Sequence, residues 1–189
     1  MNDLITQYVH DNYALGKWDL FATFMLVAIN RLEINAKMSM INMHSWMFLD
    51  AFEALRMYLV KNFQIDNMLH LGPNTFDELS GEVVQNTTFV ISKNRPNHAG
   101  DYYKLSTGNN CAAKEQLFLN DYGHYRNVDQ LKFDTIPSCP IAYWLSINWL
   151  KLFGKQSIND IAISKAGIVS GDDNYFVKYW HEVCFKDIS

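Results

Sequence analysis

Cysteine is scarce in this chain, and its placement argues against two kinds of stabilised fold. The three cysteines, Cys111, Cys139 and Cys184, are odd in number and far apart in the sequence. They match neither a disulfide framework nor the paired spacing of a metal-binding site. A reducing compartment is therefore the expected environment, and we predict a cytoplasmic protein that binds no metal.

Long apolar runs and an excess of basic residues are also missing. No run approaches the ~20 apolar residues that a membrane-spanning helix needs, and the first residues lack the basic-then-apolar order of a secretory signal. The formal net charge of -4 argues against a protein that coats nucleic acid, because such proteins are usually basic. DNA binding through a local patch, or through another part of a longer chain, stays compatible with that charge.

Several motifs that identify a reaction are absent as well. The chain has no Gly-x-Gly-x-x-Gly loop for dinucleotides and no Gly-x-x-x-x-Gly-Lys loop for phosphates. It also has no Gly-x-Ser-x-Gly elbow and no His-Glu-x-x-His zinc motif. The residues taken by themselves therefore identify no reaction.

The residues that are present predict a packed α/β domain. The chain is 49% hydrophobic and 14% aromatic, which is ample for a core. Apolar residues recur at helical spacing over residues 19–32, with Asp19 as the predicted N-cap. A second helical stripe is formed by Phe52, Leu55, Leu59 and Phe63.

Three short apolar segments predict β-strands. They are residues 38–46, 65–71 and 83–92, and the turn Gly72-Pro73-Asn74 ends the second of them. The order helix, strand, helix, strand, loop, strand is typical of the second half of an open α/β sheet. We predict a mixed loop-and-strand segment for residues 97–140, and helices over residues 141–153 and 174–183.

Polar and aromatic residues stand where two of these strands end. Asn42, His44, Ser45 and Trp46 lie at the end of the first strand, where open α/β sheets bind their ligands. These side chains would therefore line a cleft; alternatively, Asn42 and His44 only form hydrogen bonds with loop backbone. Phe76 follows the second strand and its turn, and is either a binding platform or a plug of the core.

Five segments, taken in order, resemble one enzyme family. They are WDLFATFMLVAINRL, MSMINMHSWMFLDAFEALRMYLVKNFQIDNMLHLGPNTF, NTTFVISK, IPSCPIAYWLS and GIVSGDDNYFVKYWHEV. Together they resemble the second half of N6-adenine amino-methyltransferases that act on DNA. More narrowly, they are similar to the large adenine-specific methyltransferases of BREX phage-defence systems, and the likeness covers residues 3–183.

The resemblance implies a fold and a division of the chain. The fold would be the second half of a Rossmann-like, S-adenosylmethionine-dependent methyltransferase sheet of the α/β class, followed by a mixed α+β segment. Its last strand, here residues 83–92, would run antiparallel in an otherwise parallel sheet. Residues 1–95 would be the C-terminal half of the methyltransferase core, and residues 96–189 a linker and the start of a target-recognition region.

The resemblance also implies roles for individual residues. Enzymes of this family flip the target adenine out of double-stranded DNA and methylate it with S-adenosylmethionine. Phe24, with Phe21 nearby, would pack near the cofactor, and Phe76 would stack on the flipped base. Asn42, His44, Ser45 and Trp46 would border the cleft.

The chain departs from the family in what it lacks. The cofactor-binding glycine loop and the catalytic Asn-Pro-Pro-Tyr would precede residue 1, and no Pro-Pro pair occurs. We therefore expect a fragment with no catalytic residue that is inactive and binds no S-adenosylmethionine alone. It would need the N-terminal methyltransferase half as a partner, and other defence-system proteins are candidate partners. The alternative is a non-catalytic DNA-specificity or protein-interaction subunit.

Overall fold

The computed structural model describes residues 2–76, 84–153, 155, 160–163, 175 and 177–184. The chain divides into two compact units, residues 1–154 and 155–189. The first unit carries the sheet, and the described part of the second contains a short 3-10 turn at Trp180–Glu182. The α-helix predicted for residues 174–183 is wrong over residues 177–183, because residues 177–179 are not helical and Trp180–Glu182 forms only the 3-10 turn.

The first unit alternates helices with strands. Its α-helices are α1 (Asp3–Asn12), α2 (Leu20–Arg31), α3 (Glu53–Asn62), α4 (Cys111–Leu119) and α5 (Ile147–Leu150). Its strands are β1 (Lys37–Met43), β2 (Gln64–Gly72), β3 (Asn86–Ser92), β4 (Gly100–Lys104) and β5 (His124–Val128). Further 3-10 turns lie at Ala14–Gly16, His44–Met47, Asp50–Phe52 and Gln130–Thr135. No helix in the described ranges is long and apolar enough to cross a bilayer.

Local sequence accounts for helix α2 but not for the predicted helix over residues 141–153. The Asp19 carboxylate accepts a hydrogen bond from the Phe21 backbone N–H at 3.2 Å and caps α2, as predicted. In the later segment only Ile147–Leu150 is α-helical. The residues before it are not helical because they pack into the core, where Ile141 is fully buried and its N–H donates to the Met47 carbonyl at 2.9 Å. The helix prediction for residues 141–146 is therefore wrong.

The described strands form one mixed sheet in the order β1-β3-β2-β4-β5. Strand β3 lies between β1 and β2 and is antiparallel to both, whereas β2 and β4 are parallel. The predicted antiparallel strand is thereby confirmed, and β5 adds a second antiparallel strand beside β4. The sheet thus continues past residue 95. Strands β1, β2 and β4 end on the same side, which we call the carboxyl edge.

One face of the sheet is covered by helices, and this contact forms the core. Helix α2 contacts β1, and α3 contacts both β2 and the Gln130–Thr135 turn. Fully or almost fully buried members of the core include Met25, Ile29, Trp46, Leu55, Leu59, Ile65, Met68, Phe89 and Ile91. The core therefore lies between this face of the sheet and the helices, and strand β1 forms one edge of the sheet.

Candidate functional site

Strand β1 ends earlier than predicted, and a tight turn replaces its last residues. The His44 N–H donates to the Gln85 carbonyl at 2.8 Å, and the Phe48 N–H donates to the Ser45 carbonyl at 3.1 Å. The chain consequently leaves the sheet at Met43 and forms the 3-10 turn His44–Met47. This turn leaves the side chains of His44 and Ser45 half-buried at the carboxyl edge.

The same turn directs Trp46 into the core rather than towards a cleft. Trp46 is fully buried, and its ring meets Phe89 edge-on at 5.2 Å between centroids. The expectation that Trp46 lines a cleft is therefore wrong for this chain. Asn42 is also buried, at 8% exposure, and its side-chain amide has no hydrogen-bond partner among the described residues.

His44 belongs to a chain of hydrogen-bonded rings at the carboxyl edge. Its Nδ1 lies 2.9 Å from Nε2 of His70, and Nδ1 of His70 lies 3.2 Å from the Tyr143 hydroxyl. Burial lowers the pKa of His44. The pKa of His70 falls to about 4, chiefly through burial and further through the nearby His44, Lys104 and Lys114. Burial also raises the pKa of Tyr143, so at neutral pH all three rings are uncharged and share protons through hydrogen bonds.

Aromatic side chains pack around this chain of rings. The His70 ring lies 5.7 Å from the Phe48 ring and 6.5 Å from the Trp144 ring. The Lys104 ammonium lies 5.3 Å from the centroid of the Trp144 ring, which is a cation–π distance. The half-buried Trp144 and Lys104 thus pack on one side of His70.

Sequence reasoning missed His70 as the neighbour of His44, and Tyr143 and Trp144 as neighbours of His70. A signal was available for His70, because it stands at the end of the second predicted strand, which reaches the same edge. Tyr143 and Trp144 lie in the segment IPSCPIAYWLS, which carries the family resemblance but no periodicity that predicts their position.

Phe76 stands on a constrained turn beyond the end of β2. Gly72 adopts φ +70°, and a Cβ there would come within 2.7 Å of Ser106 Cβ, so glycine is required. Asn74 also has a left-handed φ of 53°, and the Thr75 hydroxyl donates to the Gly72 carbonyl at 3.0 Å. The Phe76 side chain is 43% exposed and does not plug the core.

Phe21 and Phe24 differ in how much of each ring is available. Phe24 is 58% exposed on α2. The half-buried Phe21 packs against Phe52, with ring centroids 5.3 Å apart. Because α2 ends just before the start of β1 and packs against that strand, its first turn, which contains Phe21, lies towards the carboxyl edge.

Known proteins match this chain over all or part of its length. A family model described as Eco57I restriction-modification methylase matches residues 2–76. The adenine-specific methyltransferase PglX of Lacticaseibacillus casei (strain Zhang) is 35% identical over 100% of this chain and 16% of its own length. The adenine-specific methyltransferase BrxX of Escherichia coli O9:H4 (strain HS) is 36% identical over 97% of this chain and 15% of its own length.

Part of this chain is also similar in structure to a solved protein. The type I restriction-modification methyltransferase subunit of Streptococcus thermophilus aligns with a TM-score of 0.45 and 22% identity, over 60% of this chain and 27% of that one. The two sequence relatives match almost every residue of this chain, while the chain spans only a small part of either. The chain therefore belongs to the family of the adenine-specific methyltransferases PglX and BrxX, and it corresponds to one segment of them.

Proposed function

We propose that this chain forms the C-terminal half of the catalytic core of a site-specific DNA adenine N6-methyltransferase in a BREX-like defence system. Residues 96–189 would complete the sheet with β4 and β5 and then contain a linker and the start of the target-recognition region. The observation that supports this function best is the half-exposed Phe76, which follows a hydrogen-bonded turn at the carboxyl edge. In open α/β sheets this is the edge where ligands bind.

In this proposal Phe76 stacks on the target adenine after it has left the duplex. Stacking of a base on an aromatic ring contributes about 1–3 kcal/mol, and it needs an accessible ring that is held in place. The turn from Gly72 to Thr75 constrains the backbone that leads to Phe76, and the 43% exposure of this side chain leaves a surface for the base. His44 and Ser45, half-buried at the neighbouring strand end, would border the same cleft.

Phe24 is the residue of this chain that is best suited to contact the cofactor. S-adenosylmethionine, when bound, supplies the methyl group, and its adenine needs an apolar surface to pack against. The exposed ring of Phe24 fits this need, whereas the ring of Phe21 already packs against Phe52. The glycine loop of the family is not in this sequence, so we expect the chain alone not to hold the cofactor.

The edge strand β1 is the proposed contact for the N-terminal methyltransferase half. An edge strand presents unpaired backbone N–H and C=O groups, which readily pair with another strand. On this strand Ile41 is 49% exposed and Met43 is 38% exposed, so apolar surface adjoins the unpaired edge. The strand that carries Asn-Pro-Pro-Tyr in the family would pair here and complete the cleft for double-stranded DNA.

A non-catalytic specificity or interaction subunit is the alternative. It is not favoured, because the relatives that match over almost the whole chain are named as adenine-specific methyltransferases. No contact in the described part of the chain supports it separately.

The proposed role of Phe76 is tested with Phe76→Ala in this chain joined to the upstream methyltransferase half. We expect DNA methylation to fall about 5- to 150-fold, which corresponds to the loss of one stacking contact. Phe153→Ala is the matched control, because Phe153 is also 43% exposed, and it should leave methylation unchanged. The readout is incorporation of labelled methyl groups into DNA, with thermal melting in parallel. A melting temperature lowered by many degrees with unchanged methylation would show that Phe76 only supports the fold.

A further inference from the structure

Arg56 on α3 is a buried cation whose observed hydrogen-bond partners are all backbone carbonyls. Its residue surface is fully buried, so it touches neither solvent nor a ligand. Its guanidinium donates five hydrogen bonds within the described residues, each to a main-chain oxygen. A buried charge is costly unless its donors are satisfied, so this arrangement depends on the acceptors staying where they are.

The acceptors belong to two segments that are far apart in the sequence. Nη1 donates to the carbonyls of Trp46 at 3.0 Å and Leu49 at 2.5 Å. Nη2 donates to the Ser138 carbonyl at 2.7 Å, and Nε donates to the Cys139 carbonyl at 3.2 Å. We call Arg56 together with the two segments that it links, residues 46–49 and residues 138–141, the Arg56 joint.

Residues 138 and 139 adopt a conformation that needs support. Ser138 has a φ of 63° and Cys139 a φ of 47°, and both values lie in the left-handed region that non-glycine residues disfavour. Both carbonyls accept from the guanidinium. The Ile141 N–H adds a hydrogen bond to the Met47 carbonyl at 2.9 Å, so the two segments are also linked to each other directly.

Each segment of the joint leads into one of two walls of the candidate site, the turn that carries His44 and the segment that carries Tyr143. Residues 46–49 belong to and follow the turn that carries His44, and residues 138–141 lead directly to Tyr143. The two walls meet again through His70, which lies 2.9 Å from His44 and 3.2 Å from the Tyr143 hydroxyl. We propose that Arg56 is a positioning residue that fixes these two walls relative to each other for presentation of the target base. The role in presentation rests on the proposed function, whereas the joint itself does not.

The joint is tested on the 189-residue chain by Arg56→Lys. A lysine ammonium carries three donors on one atom and cannot span the four carbonyls that the guanidinium fork reaches. We expect amide hydrogen exchange at Cys139 and Ile141 to accelerate at least about tenfold, while the paired amides of β2 and β3 stay protected. Arg31→Lys, at an exposed arginine at the end of α2, is the control and should change neither group. Unchanged exchange at Cys139 and Ile141 in Arg56→Lys would overturn the joint.

The positioning role is tested in the enzyme completed by the upstream half. Misplacement of reacting groups by about 1 Å can cost about 100-fold in rate, so we expect Arg56→Lys to lower kcat about 100-fold. The KM for DNA should stay within about twofold, because Arg56 itself is buried away from the substrate. A duplex with 2-aminopurine at the target position should also lose its flipping signal. Normal kcat and normal flipping, combined with accelerated exchange, would overturn the positioning role and leave a purely structural one.

A second variant keeps the proposal testable if Arg56→Lys does not fold. Tyr143→Phe removes only the hydroxyl that contacts His70, and it should lower kcat in the same direction with the same KM. An unchanged kcat in this variant would overturn the claim that the wall carrying Tyr143 must be held in place against His70. Absence of methylation by the wild-type completed enzyme would refute the proposed function and with it the role in presentation. The exchange experiment would still decide whether the joint exists.

Discussion

The two ends of the sheet differ in how their surfaces are covered. One row of paired residues runs across the sheet from Ile41 through Thr88 and Leu69 to Tyr103 and therefore marks a single face. At the β1 end of this row, Ile41 is 49% exposed. At the β4 end, Tyr103 lies under Phe118 of α4 at 4.9 Å and stacks on His124 at 3.9 Å.

The two edge strands, β5 and β1, also differ in how readily each would pair with a further strand. Strand β5 has five residues and carries the charged Arg126, whose guanidinium pairs with the Asp121 carboxylate. A short, charged edge discourages further strand pairing. Strand β1 has seven residues and exposes Ile41 and Met43. The β5 end is therefore finished within this chain, and the β1 end is suited to accept another strand.

The largest effect is expected at His70, in the strand between the two ends. Its pKa is about 4 in the folded chain and 6.5 when unfolded, so the unfolded chain binds more protons between these values. The contribution of His70 to the free energy of unfolding is therefore fully present above pH 6.5. It is lost as the pH drops towards 4, by about 3 kcal/mol in total.

His70→Gln removes this titration, so the free energy of unfolding should change much less between pH 6.5 and 4 than in the wild type. Asp121→Asn, at the covered end, is the comparison variant, because Asp121 forms exposed contacts of small energetic weight. Urea unfolding at several pH values measures both. An equally steep pH dependence in His70→Gln would contradict the account of the buried imidazole.

A smaller difference in stability is expected between variants at the two ends of the row from Ile41 to Tyr103. Tyr103→Ala removes a ring that is covered by two other rings, and it should destabilise the chain by about 2 kcal/mol. Ile41→Ala should cost less than about 1 kcal/mol, because half of that side chain already faces water. Equal losses for the two variants in urea unfolding would remove the distinction between an open and a covered end.

The contrast between local and long-range signals explains what the sequence could predict. Helix α2, its Asp19 cap and strands β1 to β3 follow from periodicity and capping within a few residues, and they were predicted. The pairing of His44 with His70, and of His70 with Tyr143, depends on segments distant in sequence, so no local pattern predicts it. Trp46 was misassigned because an unforeseen 3-10 turn points it inward. The apolar residues 141–146 predict a helix wrongly, because buried non-helical segments are as apolar as helices.

The most direct test of the central claim is reconstitution of methylation from two pieces. This chain, the upstream methyltransferase half, and their mixture are each supplied with DNA and labelled S-adenosylmethionine. We expect methylation only by the mixture, because the cofactor loop and the Asn-Pro-Pro-Tyr motif would reside in the other piece.

The open end is probed in the same assay with Ile41→Lys, which should reduce activity at least about tenfold by burying a charge at the contact. Leu119→Lys, at a 65% exposed position on α4, should have no effect. Without its partner, the chain should self-associate in light scattering through its open edge. Micromolar cofactor binding or methylation by the chain alone would contradict the account. A stable monomer that gains no activity on mixing would contradict it as well.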